Sequence, residues 1–297
     1  MAVYKHSYRP YSGAVTEHWR RLFVIPRYVY RQVFRSRFFT ILFVVCLIVP
    51  VAGALLIYLR HNLSALELLQ IPPNALFSID GKFFKQILKI QGSFAFLIAV
   101  FVGPGLVSPD LTNNGLALYL SRPFSRVDYV IGKLMVLVIL QSLVTWVPLS
   151  VLYLWQWNLA GSEWMSEHAR VLLAIFVGAW IWIILLSLLA LAISAWVRWR
   201  AIAGALMFGV FFVGAGLSAV IKLVFATSWG DLFHLNQVMQ VIWSWLFLGQ
   251  TAETSIILGG VEVSSLPVWS AWLVLIGVCG VCLLLLGKKV RAYEVVR

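Results

Sequence analysis

The sequence predicts an all-α integral membrane protein with six transmembrane helices. Three observations carry that expectation. First, 62% of the 297 residues are hydrophobic and 11% are charged, whereas ordinary soluble domains carry about 25% charge; mean hydropathy is +0.92. Second, apolar runs recur at close to the roughly 20 residues that a spanning helix requires. Third, Lys and Arg gather on one side of the layout those runs imply. At about 150 residues per domain the length would allow two domains. The apolar runs are continuous, so one membrane domain is expected.

Residues 1–37 are polar and basic with no hydrophobic core of a signal peptide, so no cleavable signal is expected and the first span serves as the insertion signal. Within them, residues 16–37 set Trp19, Leu22, Phe23, Ile25, Tyr28, Val29, Val33 and Phe34 against Arg20, Arg21, Arg27, Arg31 and Arg35. That pattern predicts an amphipathic helix lying in the membrane interface, with Pro26 kinking it. A plain positively charged anchor is a simpler reading, compatible with the first.

The membrane domain covers 38–287, with spans at 38–59, 87–107, 127–155, 171–197, 201–225 and 267–287. The first contains Pro50. The second is weaker, since Lys89 and Gln91 must reach the headgroups by snorkelling. Residues 288–297 form a basic tail. Segment 229–250 is apolar toward its end but interrupted by His234, Asn236, Gln237, Gln240 and Ser244. As a seventh span it would place the basic tail outside, so it is expected to dip into the bilayer from the outer face without crossing.

Six spans put both termini on one side, with the 108–133 loop and the 198–200 turn. That side carries 17 of the 23 Lys and Arg residues and the other carries 6, which predicts a multi-pass protein of the cell (inner or plasma) membrane with N- and C-termini cytoplasmic. The same asymmetry accounts for the net charge of +12 without a nucleic-acid partner; the bilayer is the expected one. Cys46, Cys279 and Cys282 sit inside apolar runs, which argues against a disulfide framework.

The informative stretch is 103–133, GPGLVSPDLTNNGLALYLSRPFSRVDYVIGK. Gly103-Pro104-Gly105 should break or bend the second span near the inner face. Ser108, Pro109 and Asp110 read as a helix start: a cap, proline at the first position and an acid near the positive helix end. Leu111, Leu116, Leu118 and Leu120 offer apolar contacts, and Ser121-Arg122-Pro123 ends the helix. Ser125 and Asp128 resemble a capping box for the third span. A short, capped, half-apolar helix between two spans is a docking surface.

Gly-Pro-Gly, Ser-Pro-Asp-Leu, Leu-Tyr-Leu-Ser-Arg-Pro-Phe-Ser-Arg, Asp-Tyr and Gly-Lys in this stretch resemble the signature loop of the ABC-2 type permease family, the membrane-spanning subunits of ABC transporters. The resemblance covers the whole chain in layout and is concentrated in 103–133 in sequence. It implies a type V exporter-like architecture: an N-terminal amphipathic interface helix, six spans, and a cytoplasmic coupling helix between the second and third that docks on a separate ATPase subunit. Residues 108–120 would be that helix, with Ser108, Pro109, Asp110, Asn113 and Asn114 in the ATPase-coupling surface. Arg122 and Arg126 would pin the following turn to headgroups or to the ATPase; positive-inside anchoring is the other reading of each. Gly132 would allow close packing at the base of the third span. Spans two and five would line the path between two permease subunits, a homodimer or a pair with a second permease. Residues 226–266 would cap that path outside, although they lack the cysteine pair found in some relatives.

No G-x-x-x-x-G-K-[ST] occurs, so no P-loop is expected. The chain should bind no cofactor itself; ATP and Mg would sit on the partner ATPase. All eleven acidic residues and all five histidines fall in loops or at span ends, which argues against a catalytic set, a proton relay and a metal site. Cys279 and Cys282 lack a third ligand and read as small packing residues. Gln141 and Thr145 in span three make either interhelical hydrogen bonds or cargo contacts. Gly204, Gly209 and Gly214 in span five allow close approach, within the subunit or at a seam between permeases. The expected function is therefore a permease for export that depends on a partner ATPase. Two alternatives stand: mechanotransmission to a membrane machine without cargo, and an unrelated membrane enzyme or scaffold.

Overall fold

Hydrocarbon offers no partner to a backbone N–H or C=O, so a spanning segment must satisfy its own; all six apolar runs accordingly fold as helices long and apolar enough to cross a membrane. A computed structural model describes residues 23–62, 78–113, 126–225, 227–249, 254–257, 260–263 and 266–289. Its helices are α1 (Val24–Val33), α2 (Arg37–His61), α3 (Gly81–Val102), α4 (Pro104–Thr112), α5 (Arg126–Val144), α6 (Trp146–Ala160), α7 (Ser162–Trp196), α8 (Arg200–Phe225), α9 (Leu235–Leu248) and α10 (Val268–Lys289). A 3-10 turn, Ser228–Phe233, precedes α9, and one antiparallel hairpin pairs β1 (Thr254–Ile257) with β2 (Gly260–Val263).

The spans are α2, α3 with α4, α5 with α6, α7, α8 and α10. Two begin earlier than expected. Span two starts at Gly81 because Asp80 caps it, its Oδ1 accepting from Lys82 N at 2.9 Å and Phe83 N at 3.2 Å. Span four starts at Ser162, after Gly161 turns the chain with a φ of 91°, a conformation glycine adopts without penalty. Span three jogs at Thr145 (φ −97°, ψ −93°), where the ring of Pro148 would meet the carbonyl four residues earlier in an unbroken helix.

Contacts sort the helix ends into two groups. At one end, Trp196 Nε1 donates to Leu285 O at 3.3 Å, Ser194 Oγ to Pro104 O at 3.0 Å and Tyr30 OH to Val136 O at 3.2 Å. Arg27, Arg31, Arg35, Arg37, Lys133, Arg198, Arg200, Lys288 and Lys289 lie here, so we term it the basic end. At the opposite end, Trp164 Nε1 donates to Ile79 O at 3.3 Å, and His61 lies 3.2 Å from Gln156. Spans two and four form the centre, with 61% of each apolar window buried, against 11% for α8.

α1 is amphipathic as expected, and Pro26 sits in its first turn, where no intrahelical bond is lost; residues 16–22, on the other side of the expected kink, lie outside the described residues. Ile25 packs on Gly132, where a Cβ would come within 3.0 Å of Ile25 Cδ1. Burial pushes the Tyr30 phenol well above its ordinary pKa.

The chain between α8 and α10 is re-entrant. α9 has 14 residues, about 21 Å at 1.5 Å per residue, too short to span. The 3-10 turn runs back along α8 from the opposite end until Phe233 O rests on Gly214, midway along α8. α9 then returns. Trp243 Nε1 donates to Gly178 O in the middle of α7 at 3.0 Å. Arg170 closes the far end of α9, donating to Trp245 O at 2.9 Å and Leu246 O at 3.1 Å. The segment thus folds back along α8 and α7 to about their midpoints.

Candidate functional site

The helix expected to start at Ser108 starts at Pro104, and Ser108 lies fully buried inside it. Both Gly103-Pro104 and Ser108-Pro109 carry a proline start signal; the first is used because Ser108 is drawn into tertiary hydrogen bonds with Ser194 and the carbonyls of Val197 and Arg198. Gly103 keeps helical dihedrals (φ −53°, ψ −50°), so α3 leads directly into α4. A Cβ there would lie 2.5 Å from Ala99 O and 2.6 Å from Ala190 Cβ.

Three spans hold α4. From span four, Ser194 Oγ enters the backbone ladder: it donates to Pro104 O at 3.0 Å and accepts from Ser108 N at 3.0 Å and Val107 N at 3.3 Å. The Ser108 hydroxyl points at the α7–α8 turn and lies 2.6 Å from Val197 O and 2.5 Å from Arg198 O. From span three, Lys133 Nζ is 2.8 Å from Asp110 Oδ2, and Tyr129 OH donates to the same oxygen at 2.8 Å. From span five, Arg200 packs on Gly105 of α4 and donates to Phe101 O, at the end of α3, at 2.9 Å. Lys133 is buried and Asp110 only partly exposed, so this pair is shielded from the screening that weakens surface ion pairs. α4 is a strut bonded to spans three and four and packed on span five.

Among the expected coupling residues, Pro109 and Asn113 are exposed on α4 and at its C-cap. Asp110 faces inward onto Lys133. Asn114 and Arg122 lie outside the described residues, as does the side chain of Arg126, whose backbone opens α5. The described part of the expected 108–120 helix ends at Thr112.

Gln141 and Thr145 are fully buried. Thr145 Oγ1 donates to Gln141 O at 2.8 Å across the jog, while both polar atoms of the Gln141 amide have no hydrogen-bond partner among the described residues. The three glycines of span five divide. Gly214 packs within the subunit against Phe233 O, Gly204 is in ordinary contact with Val100 O at 3.6 Å, and Gly209 has nothing within 4 Å.

Sequence reasoning missed Asp231. Taken as a loop residue, it is 1% exposed in the re-entrant turn. Its Oδ1 is 2.7 Å from Lys222 Nζ and accepts from Ser218 Oγ at 2.9 Å, both on α8. The available signal was the serine and lysine four residues apart on span five, one helix face awaiting an acid. Lys85 is also buried, donating to Ser244 Oγ of α9 at 3.0 Å. These two polar anchors fix the re-entrant segment to spans five and two. Beside it, a cleft of about 210 Å³ opens between Ser93 and Phe96 of span two, Phe211, Phe212 and Ala215 of span five, Trp182, and His234 with Asn236.

Six spanning helices around a re-entrant hairpin define a multi-pass membrane protein. No protein-family model matches the sequence, and no curated protein matches it significantly.

Proposed function

We propose that the chain is the permease subunit of an ABC-2 type ABC transporter, working in export. The observation that carries this is α4: an otherwise unnecessary short helix at the basic end, held by Ser108, Ser194, Asp110–Lys133 and Arg200 against three spans, in the stretch whose sequence resembles the permease signature loop. Its exposed end, Asn113, leads into the loop expected to dock on the ATPase.

The positive-inside rule puts the basic end, with both termini, in the cytoplasm of a cell-membrane protein. ATP and Mg are held by the partner, and this chain contributes no nucleotide chemistry. Closure of two ATPase subunits pushes on residues 108–120. Because α4 is bonded to spans three and four and packed on span five, that push moves the three together rather than bending a loop. A second permease, identical or sibling, packs on the open face of α8, where Gly209 and Gly216 have nothing within 4 Å. Spans two and five share the 210 Å³ cleft, consistent with a path lined by these two. The re-entrant hairpin closes that path from outside.

The test is co-purification from native membranes with an ABC ATPase subunit, followed by Asp110→Ala and Asn114→Ala. Each variant is expected to lower coupled ATPase activity or assembly. Unchanged assembly together with unchanged coupled activity in both would sink the coupling role.

A further inference from the structure

A cavity of about 630 Å³ lies at the basic end, between α1, the start of α2, the α3–α4 junction and Arg200. That volume falls within the about 300–1,000 Å³ typical of small-molecule sites. Its walls are mainly apolar: Val29 and Val33 of α1, Phe38 of α2, Phe101 of α3 and Leu106 of α4. Phe38 and Phe101 pair edge to face at 5.1 Å between centroids and are 58% and 37% exposed, so the mouth opens toward the hydrocarbon beside spans one and two.

The polar part of the wall is unbalanced in charge. Asp110, its one acid, is matched by Lys133 at 2.8 Å. Arg200 makes no ion pair among the described residues; it gives one N–H to Phe101 O at 2.9 Å, and a guanidinium carries five. It also stands at the first residue of α8, where the unsatisfied N–H groups and the helix dipole favour an anion. Gln32 and Ser36 supply further donors in the wall. On α1, Arg27 and Arg31 are exposed and spaced by four, bordering the cavity-facing side at about 100° per residue, and Arg35 is exposed in the turn that follows.

An apolar chamber open to the acyl-chain region, with a guanidinium that makes no ion pair among the described residues and a helix N-terminus at headgroup depth, fits one class of molecule. We propose that this cavity binds an anionic phospholipid, an acyl chain against Val29, Val33 and Leu106 and the phosphate on Arg200. The lipid would bridge α1 to α4, next to the Asp110–Lys133 pair, and so act as a structural cofactor of the strut. This proposal needs only a bilayer, and it stands or falls independently of the transporter reading.

The experiment uses the full chain, purified into nanodiscs of phosphatidylglycerol and phosphatidylcholine in equal parts with identical acyl chains. Native mass spectrometry then counts retained lipids. Wild type is expected to retain phosphatidylglycerol in preference to phosphatidylcholine. Arg200→Gln removes a charge-assisted contact and should cut that preference about tenfold, a change of about 1.4 kcal/mol. Arg200→Lys should keep most of it, and Lys82→Gln at the opposite end should change nothing. Val29→Trp fills the chamber and should lower retention of both lipids. Equal retention of the two lipids by wild type overturns the proposal, and so does a wild-type preference in Arg200→Gln. Loss of preference in Lys82→Gln as well would reduce the effect to net charge and also overturn it.

Discussion

Asp231→Asn should loosen the re-entrant hairpin from span five. The carboxylate is 1% exposed and 2.7 Å from the Lys222 ammonium. At an effective dielectric constant of about 20, that separation gives a gross attraction of about 6 kcal/mol. Desolvation of the carboxylate opposes it, and removing one partner of a buried pair costs about 3–5 kcal/mol. Lys222 is 32% exposed and can regain solvent, which sets the expected loss at about 3 kcal/mol, the low end of that range. The asparagine keeps the acceptor for Ser218, so the charge alone is tested. Cys46 and Cys282 are free and buried, which suits a thiol-reactive dye as the unfolding probe. At about 2–4 °C per kcal/mol, the midpoint should fall by about 6–12 °C. Asp231→Leu with Lys222→Met should return to within about 1 kcal/mol of wild type, since a buried pair replaced by apolar groups is often neutral. A midpoint unmoved by Asp231→Asn, or a double variant worse than the single, would refute the reasoning.

Gly214→Val should destabilise by about 2–3 kcal/mol, because its Cβ would meet the backbone carbonyl of Phe233 and backbone cannot give way. Gly209→Leu should leave thermal unfolding unchanged, as nothing lies within 4 Å, yet weaken self-association if α8 is the seam; cross-linking in liposomes checks both. Gln141→Leu should raise stability by about 1–3 kcal/mol, the penalty of leaving buried polar atoms unmatched, since neither amide atom has a partner among the described residues. A lower midpoint for that variant would mean that the amide is satisfied by water.

The six spans were legible because span length is imposed by the bilayer and not by neighbouring residues. Their ends were less so. Lys82, Lys85 and Lys89 lower the hydropathy of span two, so its start at Gly81 is set by the Asp80 cap, which an apolar count ignores. The segment 103–112 offered two proline start signals, and the choice between them rests on Ser194 and the carbonyls of Val197 and Arg198, about ninety residues away in sequence. A local motif read Ser108 as a cap; tertiary burial made it a cross-link. Asp231 was hidden for the same reason, as its partners Ser218 and Lys222 meet it only once the chain doubles back. The Gly132 contact was readable in kind, a small residue for close packing, but its partner Ile25 in α1 was not.

The central claim is that α4 is where a partner ATPase pushes. A photo-activatable cross-linking residue at Asn113, exposed at the C-cap of α4, tests it most directly, with the same residue at Trp229, exposed at the opposite end, as the control. In native membranes the account predicts that Asn113 captures an ABC ATPase subunit, that ATP changes the yield, and that Trp229 captures none. Capture of no ATPase from Asn113, or equal capture from both positions, would contradict it.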